Sequence, residues 1–126
     1  MRVFDASAVL AFIFDEPGGD KAAQLLEDGA AAISAVNLAE VVARLVERGF
    51  AQADVDAICA GLRLEVIPLT EALAVTSGKL RASTRALGLS LGDRCCLALA
   101  LAHSAEVVTA DRPWKALKGF RFTFIR

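Results

Sequence analysis

The sequence predicts an α/β fold, a mainly parallel sheet with helices on both faces, on two observations. Short β-prone runs alternate with stretches of helical apolar spacing along the whole chain, and strands separated by helices pair in parallel. The 126 residues match the commonest size of one domain, and no internal repeat, low-complexity tract or long linker divides them. A single domain over residues 1–126 is therefore expected.

The elements follow in order. "RVFDAS" opens with a strand ending at Asp5, and "AVLAFIFDEPG" has helical spacing up to the breaker Pro17-Gly18. A polar helix, "DKAAQLLEDG", precedes the brief apolar strand "AAAIS". Ser34 then caps "AVNLAEVVARLVERG", a helix apolar over most of its circumference, expected to be buried and to stop at Gly49. A helix over about residues 53–62 leads into the strand "LEVIP", closed by Pro68. "TEALAVTSGKLRASTRALG" reads as one helix capped by Thr70 and ended by Gly88. Ser90 caps "LGDRCCLALALAHS", followed by the strand "EVVTAD", a helical turn "RPWKAL" and a last strand "FRFTFI".

Composition narrows the function classes. The longest apolar run, Cys95 to Ala102, falls far short of the roughly 20 residues of a bilayer crossing, and the N-terminus lacks signal-peptide character, so a cytoplasmic protein with no membrane partner is expected. Cys59, Cys95 and Cys96 have neither disulfide nor zinc-site spacing and read as reduced, small core residues. Hydrophobic residues make up 56% of the chain and mean hydropathy is +0.50, a surplus that points to apolar surface covered by a partner. The helices spanning residues 36–46 and 53–62, with Phe50 between them, are the candidates for a groove that takes a partner helix, or else are ordinary core and dimer surface.

Charge is unevenly placed. Residues 1–78 carry 5 basic and 12 acidic side chains, a net −7, whereas residues 79–126 carry 9 and 3, a net +6. The basic portion permits a polyanion-binding face despite a total of −1.

In open parallel sheets the functional crevice lies at the carboxyl ends of the strands. Four acids fall there: Asp5 and Asp111 at strand ends, Asp93 in the first turn of the Ser90-capped helix, and Glu40 about two turns into the Ser34-capped helix. Taken singly, Asp5 also fits a helix cap or Asx-turn, Asp93 the acid of a capping box, and Asp111 a turn acid. Glu40 is harder to place, because its neighbours leave it near an apolar face where an unpaired carboxylate is costly. Together, several carboxylates at one sheet edge repel unless a cation neutralises them. Oxygen-only ligation with open positions suits Mg²⁺ or Mn²⁺, and the reaction that follows is metal-assisted phosphodiester hydrolysis.

Other chemistries lack their residues. The chain has no Gly-rich phosphate loop and no Ser nucleophile elbow, and its sole histidine, His103, sits late in an apolar helix. An aspartyl-nucleophile phosphatase would want a second Asp where Ser7 stands, and a receiver domain would want an acceptor Asp where "LEVIP" offers Pro68. Trp114 reads as a packing residue.

"VFDASAVLAFIFDEPG", "ISAVNLAEVVARL", "LSLGDRCCLALA" and "VVTADRPWKAL" resemble, in order and spacing, the four acidic motifs of the PIN domain, with closest likeness to the VapC toxins of bacterial type II toxin–antitoxin (VapBC) pairs. The resemblance spans essentially the whole chain. It implies a three-layer α/β/α fold, Mg²⁺- or Mn²⁺-dependent endoribonuclease activity, a homodimer, and inhibition by a cognate VapB-like antitoxin. Carried over by motif, Asp5, Glu40, Asp93 and Asp111 match the metal-site acids, and Ser7, Asn37 and Thr109 the polar residues that support them. Arg94 and Arg112, each directly following a motif acid, and Lys79, Arg81, Arg85, Lys115 and Lys118 are the candidates for RNA contact. A catalytically inactive PIN-fold binding module, and a PIN nuclease of RNA processing or DNA repair, are the alternatives.

Overall fold

The computed structural model describes residues 1–126. Five short strands form the sheet: β1 (Arg2–Phe4), β2 (Ala31–Ser34), β3 (Glu65–Ile67), β4 (Glu106–Thr109) and β5 (Phe122–Phe124). Their order across the sheet is β3-β2-β1-β4-β5, and every neighbouring pair is parallel. β1 therefore lies at the centre, and the switch in direction of winding beside it opens a crevice at the carboxyl ends of β1 and β4.

Seven α-helices connect and cover the strands: α1 (Ala6–Ile13), α2 (Gly19–Glu27), α3 (Ala35–Glu47), α4 (Gln52–Gly61), α5 (Glu71–Lys79), α6 (Arg81–Thr84) and α7 (Leu91–His103). Because successive side chains of a strand point to opposite faces, Phe4, Ile33 and Val108 pack on one side with residues of α1 to α4. Val3 and Val107 pack on the other with α7 and Trp114. The result is the three-layer α/β/α arrangement.

Two expectations are corrected. The segment after Thr70 is not one helix: α5 ends at Lys79, α6 spans Arg81–Thr84, and Arg85–Leu87 forms a 3₁₀ turn. Hydroxyls of Ser83 and Thr84 both donate to the Leu80 carbonyl, at 3.3 and 2.7 Å, and back-bonding of this kind bends helices. Nor is α3 buried around its circumference. Only Asn37, Val41 and Leu45 are buried, whereas Val46 is 61% exposed; the apolar count on the opposite face supplies surface, not core.

α7 is the helix with the most buried residues, from Cys95 through Ala100. Cys95 and Cys96 pack as free thiols, Cys59 is half-buried, and burial raises the Cys96 thiol well above its ordinary range. His103 is exposed at the end of α7. Trp114 is buried and meets Phe122 edge-on at 6.3 Å. The C-terminus is pinned back across the domain. Gly18, at φ +88°, lies so close to the Ile125 carbonyl that no Cβ fits, Lys21 donates to the Phe124 carbonyl at 3.0 Å, and Arg126 to that of Pro17 at 2.8 Å.

Candidate active site

Asp5 follows β1 at the N-cap position of α1, yet its side chain caps nothing. Its Oδ2 instead accepts from the Ser7 hydroxyl at 2.6 Å and from the Thr109 hydroxyl at 3.1 Å. Those hydroxyls are fixed in turn by backbone N–H groups at the end of β4, Ala110 donating to Ser7 at 3.0 Å and Asp111 to Thr109 at 3.1 Å. This ladder ties the end of β1 to the end of β4 and holds one oxygen of a carboxylate that is only 2% exposed. No protein donor reaches Oδ1.

Asp93 arrives from the other layer. The Ser90 hydroxyl accepts from the Asp93 N–H at 3.2 Å and Asp93 Oδ2 accepts from the Ser90 N–H at 2.9 Å, a complete capping box. The cap uses one oxygen and leaves the other. Asp111 makes no side-chain hydrogen bond or salt bridge. Carboxylate oxygens of Asp5, Asp93 and Asp111 lie within 4.8 Å of one another.

Glu40 lines the same cleft from α3 but falls outside that 4.8 Å group. It is aimed by its surroundings. Asn37, fully buried, donates from Nδ2 to Glu40 Oε2 at 3.2 Å and to the Gly92 carbonyl at 3.0 Å, leaving its Oδ1 unpartnered. The opposite amide orientation would set oxygen against both acceptors. The Glu40 carboxyl rests against Gly92, where a Cβ would stand 2.6 Å from Cδ.

The electrostatics follow from this packing. Burial pushes Asp5 from 3.8 up to about 7; the Ser7 bond opposes this, and the charges of Asp93 and Asp111 add to it. Partial burial raises Glu40, against the Asn37 bond and with help from Asp93. Asp111 is raised by burial and by Asp93, with Arg126 opposing. No Lys or Arg comes within 4.0 Å of these acids; the salt bridges join Arg2 to Asp28 and Arg126 to Glu16. Three converging carboxylates, each with an oxygen free and none ion-paired, are a donor set that fits a hard divalent cation.

The cleft holds about 310 Å³ and is lined by Asp5, Ser7, Glu40, Asp93 and Asp111 together with Leu10, Phe14, Glu16, Arg44, Arg48 and Arg126. Its cations differ from those the sequence suggested. Lys79, Arg81, Arg85, Arg94, Arg112, Lys115 and Lys118 do not line it. Arg94 is turned away to the carbonyls of Ser77 and Ser90, and Arg112 sits over the Phe124 ring. Arg44, four residues after Glu40 on α3, and Arg48, eight residues after it at the C-cap of that helix, follow Glu40 at helical spacing; that spacing was the available signal.

The family model of the PIN domain matches residues 2–119. The chain belongs to the PIN-domain family. Solved structures share the PIN fold over nearly the full length. A toxin–antitoxin complex from Klebsiella pneumoniae has TM-score 0.74 at 23% identity, covering 100% of this chain and 98% of that one. DNA-bound VapBC from Salmonella typhimurium has TM-score 0.75 at 21% identity, covering 99% and 98%. VapC20 of Mycobacterium tuberculosis, described as a sarcin-ricin loop cleaving toxin, has TM-score 0.76 at 17% identity, covering 95% and 96%. A sequence comparison with curated proteins gave no match. In this PIN domain the acidic cluster lies at the carboxyl edge of β1 and β4, where the parallel topology places the crevice.

Proposed function

We propose that this PIN domain is a Mg²⁺- or Mn²⁺-dependent endoribonuclease, the VapC-like toxin of a type II toxin–antitoxin pair, acting in the cytoplasm as a homodimer restrained by a VapB-like antitoxin. The observation that carries the reading is the convergence of Asp5, Asp93 and Asp111 within 4.8 Å, without a neutralising side chain. Asp5, Asp93 and Asp111 would hold the cation, with Glu40 beside them. A bound divalent cation supplies Lewis-acid activation of water and neutralises charge at the scissile phosphate.

The chain's own residues set the conditions. Ser7 and Thr109 hold Asp5 in one orientation, the Ser90 box holds Asp93, and Asn37 holds Glu40. The raised Asp5 carboxyl makes proton and metal compete at neutral pH. An intact acid set with free oxygens disfavours an inactive binding module.

An antitoxin partner is supported by the toxin–antitoxin complexes among the fold relatives and by an apolar hollow between α1 and α4, lined by Phe12, Ile13, Phe50, Ala57, Ile58 and Leu62. α3 contributes nothing to it. Exposed Val46, Val66, Val75 and Leu91 offer further apolar surface for a second copy. No helix is long and apolar enough to cross a membrane.

The test is incubation of antitoxin-free protein with total RNA and Mg²⁺ or Mn²⁺. Discrete cleavage is expected, lost in EDTA and in a folded Asp93→Asn variant; folded wild-type protein that cuts nothing with either metal would refute the reading. A second opening past Asp93 and Asp111 is formed by Leu87, Gly88, Leu89, Pro113 and Trp114; we assign the basic residues outside the cleft, with Arg85 and Arg112 near it in sequence, to RNA contacts on this outer flank. Arg81→Gln with Arg85→Gln is expected to lower the salt slope of RNA binding by roughly 0.7 per lost phosphate contact. An unchanged slope would remove both from the binding face.

A further inference from the structure

The acids stand in the middle of a groove whose two ends differ. Beyond Asp93 and Asp111 on one side lies the opening lined by Leu87, Gly88, Leu89, Pro113 and Trp114, which holds no cation. On the other side lie Arg44 and Arg48 of the main cleft. Both are exposed, and neither forms a salt bridge or donates a side-chain hydrogen bond. Arg126, the third cleft arginine, is already engaged by Glu16 and the Pro17 carbonyl.

Arg48 is nonetheless not free to wander. Its guanidinium lies 4.4 Å from the centre of the Phe14 ring, within reach of a cation–π attraction, and Phe14 is itself braced by Phe50 at 6.1 Å. An aromatic ring that holds a guanidinium at a cleft mouth leaves its N–H donors outward and reduces the entropy lost when an anion binds. Arg44 and Arg48 are one helical turn apart, a spacing that adjacent phosphates of an extended strand can follow. Moving outward from the acids along α3, the order is Glu40, Arg44, Arg48: the site of the cut, then two cations in line.

We propose that Arg44 and Arg48, the latter held by Phe14, form a subsite for phosphates of an unpaired RNA strand on one side of the scissile bond. The subsite rests on the nuclease reading above, and it makes the groove directional, because only at the α3 end do unpaired cations line the cleft itself. Duplex is a poorer fit, since the two cations track a single line along one helix.

The experiment separates binding from chemistry. In an Asp93→Asn background, a fluorescein-labelled oligouridylate of about 12 nucleotides is titrated at several salt concentrations. Arg44→Gln with Arg48→Gln is expected to lower the slope of log affinity against log salt by about 1.4, two single-strand contacts, and Phe14→Leu to weaken binding with all charges kept. With Asp93 intact, the double variant is expected to lose at least about tenfold more kcat/KM on RNA than on bis(p-nitrophenyl) phosphate, which has no neighbouring phosphate.

An unchanged salt slope overturns the subsite. So does an equal loss on both substrates, which would put the arginines on the scissile phosphate itself. Stronger competition by a polyglutamate peptide than by unlabelled oligonucleotide also overturns it and assigns the pair to an acidic protein segment. Failure of wild-type protein to cut either substrate would refute the nuclease reading instead, with the binding slope still reporting on the arginines.

Discussion

Asp5→Asn is expected to raise the melting temperature of the metal-free chain at pH 8 and, in the same protein, to abolish both RNA cleavage and the stabilisation given by Mn²⁺. The Asp5 carboxyl is 2% exposed and titrates near 7 instead of 3.8. A group whose pKa is raised by folding contributes its full share of stability below its unfolded value, and that share is lost as pH rises through the folded one. Metal-free protein should therefore lose stability between about pH 4 and pH 7, on the order of a few kcal/mol. Asparagine keeps an oxygen for the Ser7 and Thr109 hydroxyls and removes the charge.

The gain at pH 8 should be roughly 5–10 °C, clearly smaller at pH 5, and near zero only below about pH 4, where Asp5 is protonated in the unfolded chain as well as the folded one. Added Mn²⁺ should stabilise wild-type protein more at pH 8 than at pH 5, since at low pH it must displace the proton. Melting curves in EDTA and in Mn²⁺ at the two pH values check all of this. A variant less stable than wild type at pH 8, or one still stabilised by Mn²⁺, would contradict the assignment of Asp5.

Gly92→Ala is expected to cost roughly 10²-fold in kcat/KM with little loss of stability. The new Cβ meets the Glu40 carboxyl, with Cδ at 2.6 Å and Oε2 at 3.0 Å. What must move is the end of a flexible side chain, so the fold tolerates it, and alanine gains about 0.5–1 kcal/mol over glycine inside a helix. Glu40, however, is pushed off the place where Asn37 holds it. A double-mutant cycle with Glu40→Ala checks the route: once Glu40 is gone, Gly92→Ala should cost little more. Full additivity would show that Gly92 acts on something other than Glu40.

Much of the frame was legible because it is written in local chemistry. Ser34, Thr70 and Ser90 each accept from the first turn of the helix they precede, as N-caps do, and the alternation of strand and helix gives the parallel sheet. Strand order was not legible, since periodicity says which face a residue takes and nothing about its neighbouring strand. The break at Leu80 was hidden because it depends on the hydroxyls of exposed Ser83 and buried Thr84 choosing the Leu80 carbonyl, a rotamer choice that spacing does not show.

The acids are legible as carboxylates at strand and helix ends, and topology brings Asp5, Asp93 and Asp111 together there. The cations of the cleft are not legible that way. The excess of basic residues after position 78 drew attention to the C-terminal part, whereas Arg44 and Arg48 belong to the acidic part and reach the cleft through helical spacing from Glu40. Gly92 gave no signal in one dimension, since the side chain it admits lies 52 residues earlier.

The most direct test of the central claim is a calorimetric titration of wild-type and Asp93→Asn protein with Mn²⁺ at pH 7, in two buffers of different ionisation enthalpy. Binding at the acidic cluster predicts a saturable heat with net proton release, because Asp5 is about half protonated at that pH, and strong weakening in the variant. Equal binding by both proteins, or Mn²⁺ binding without proton release, would contradict it.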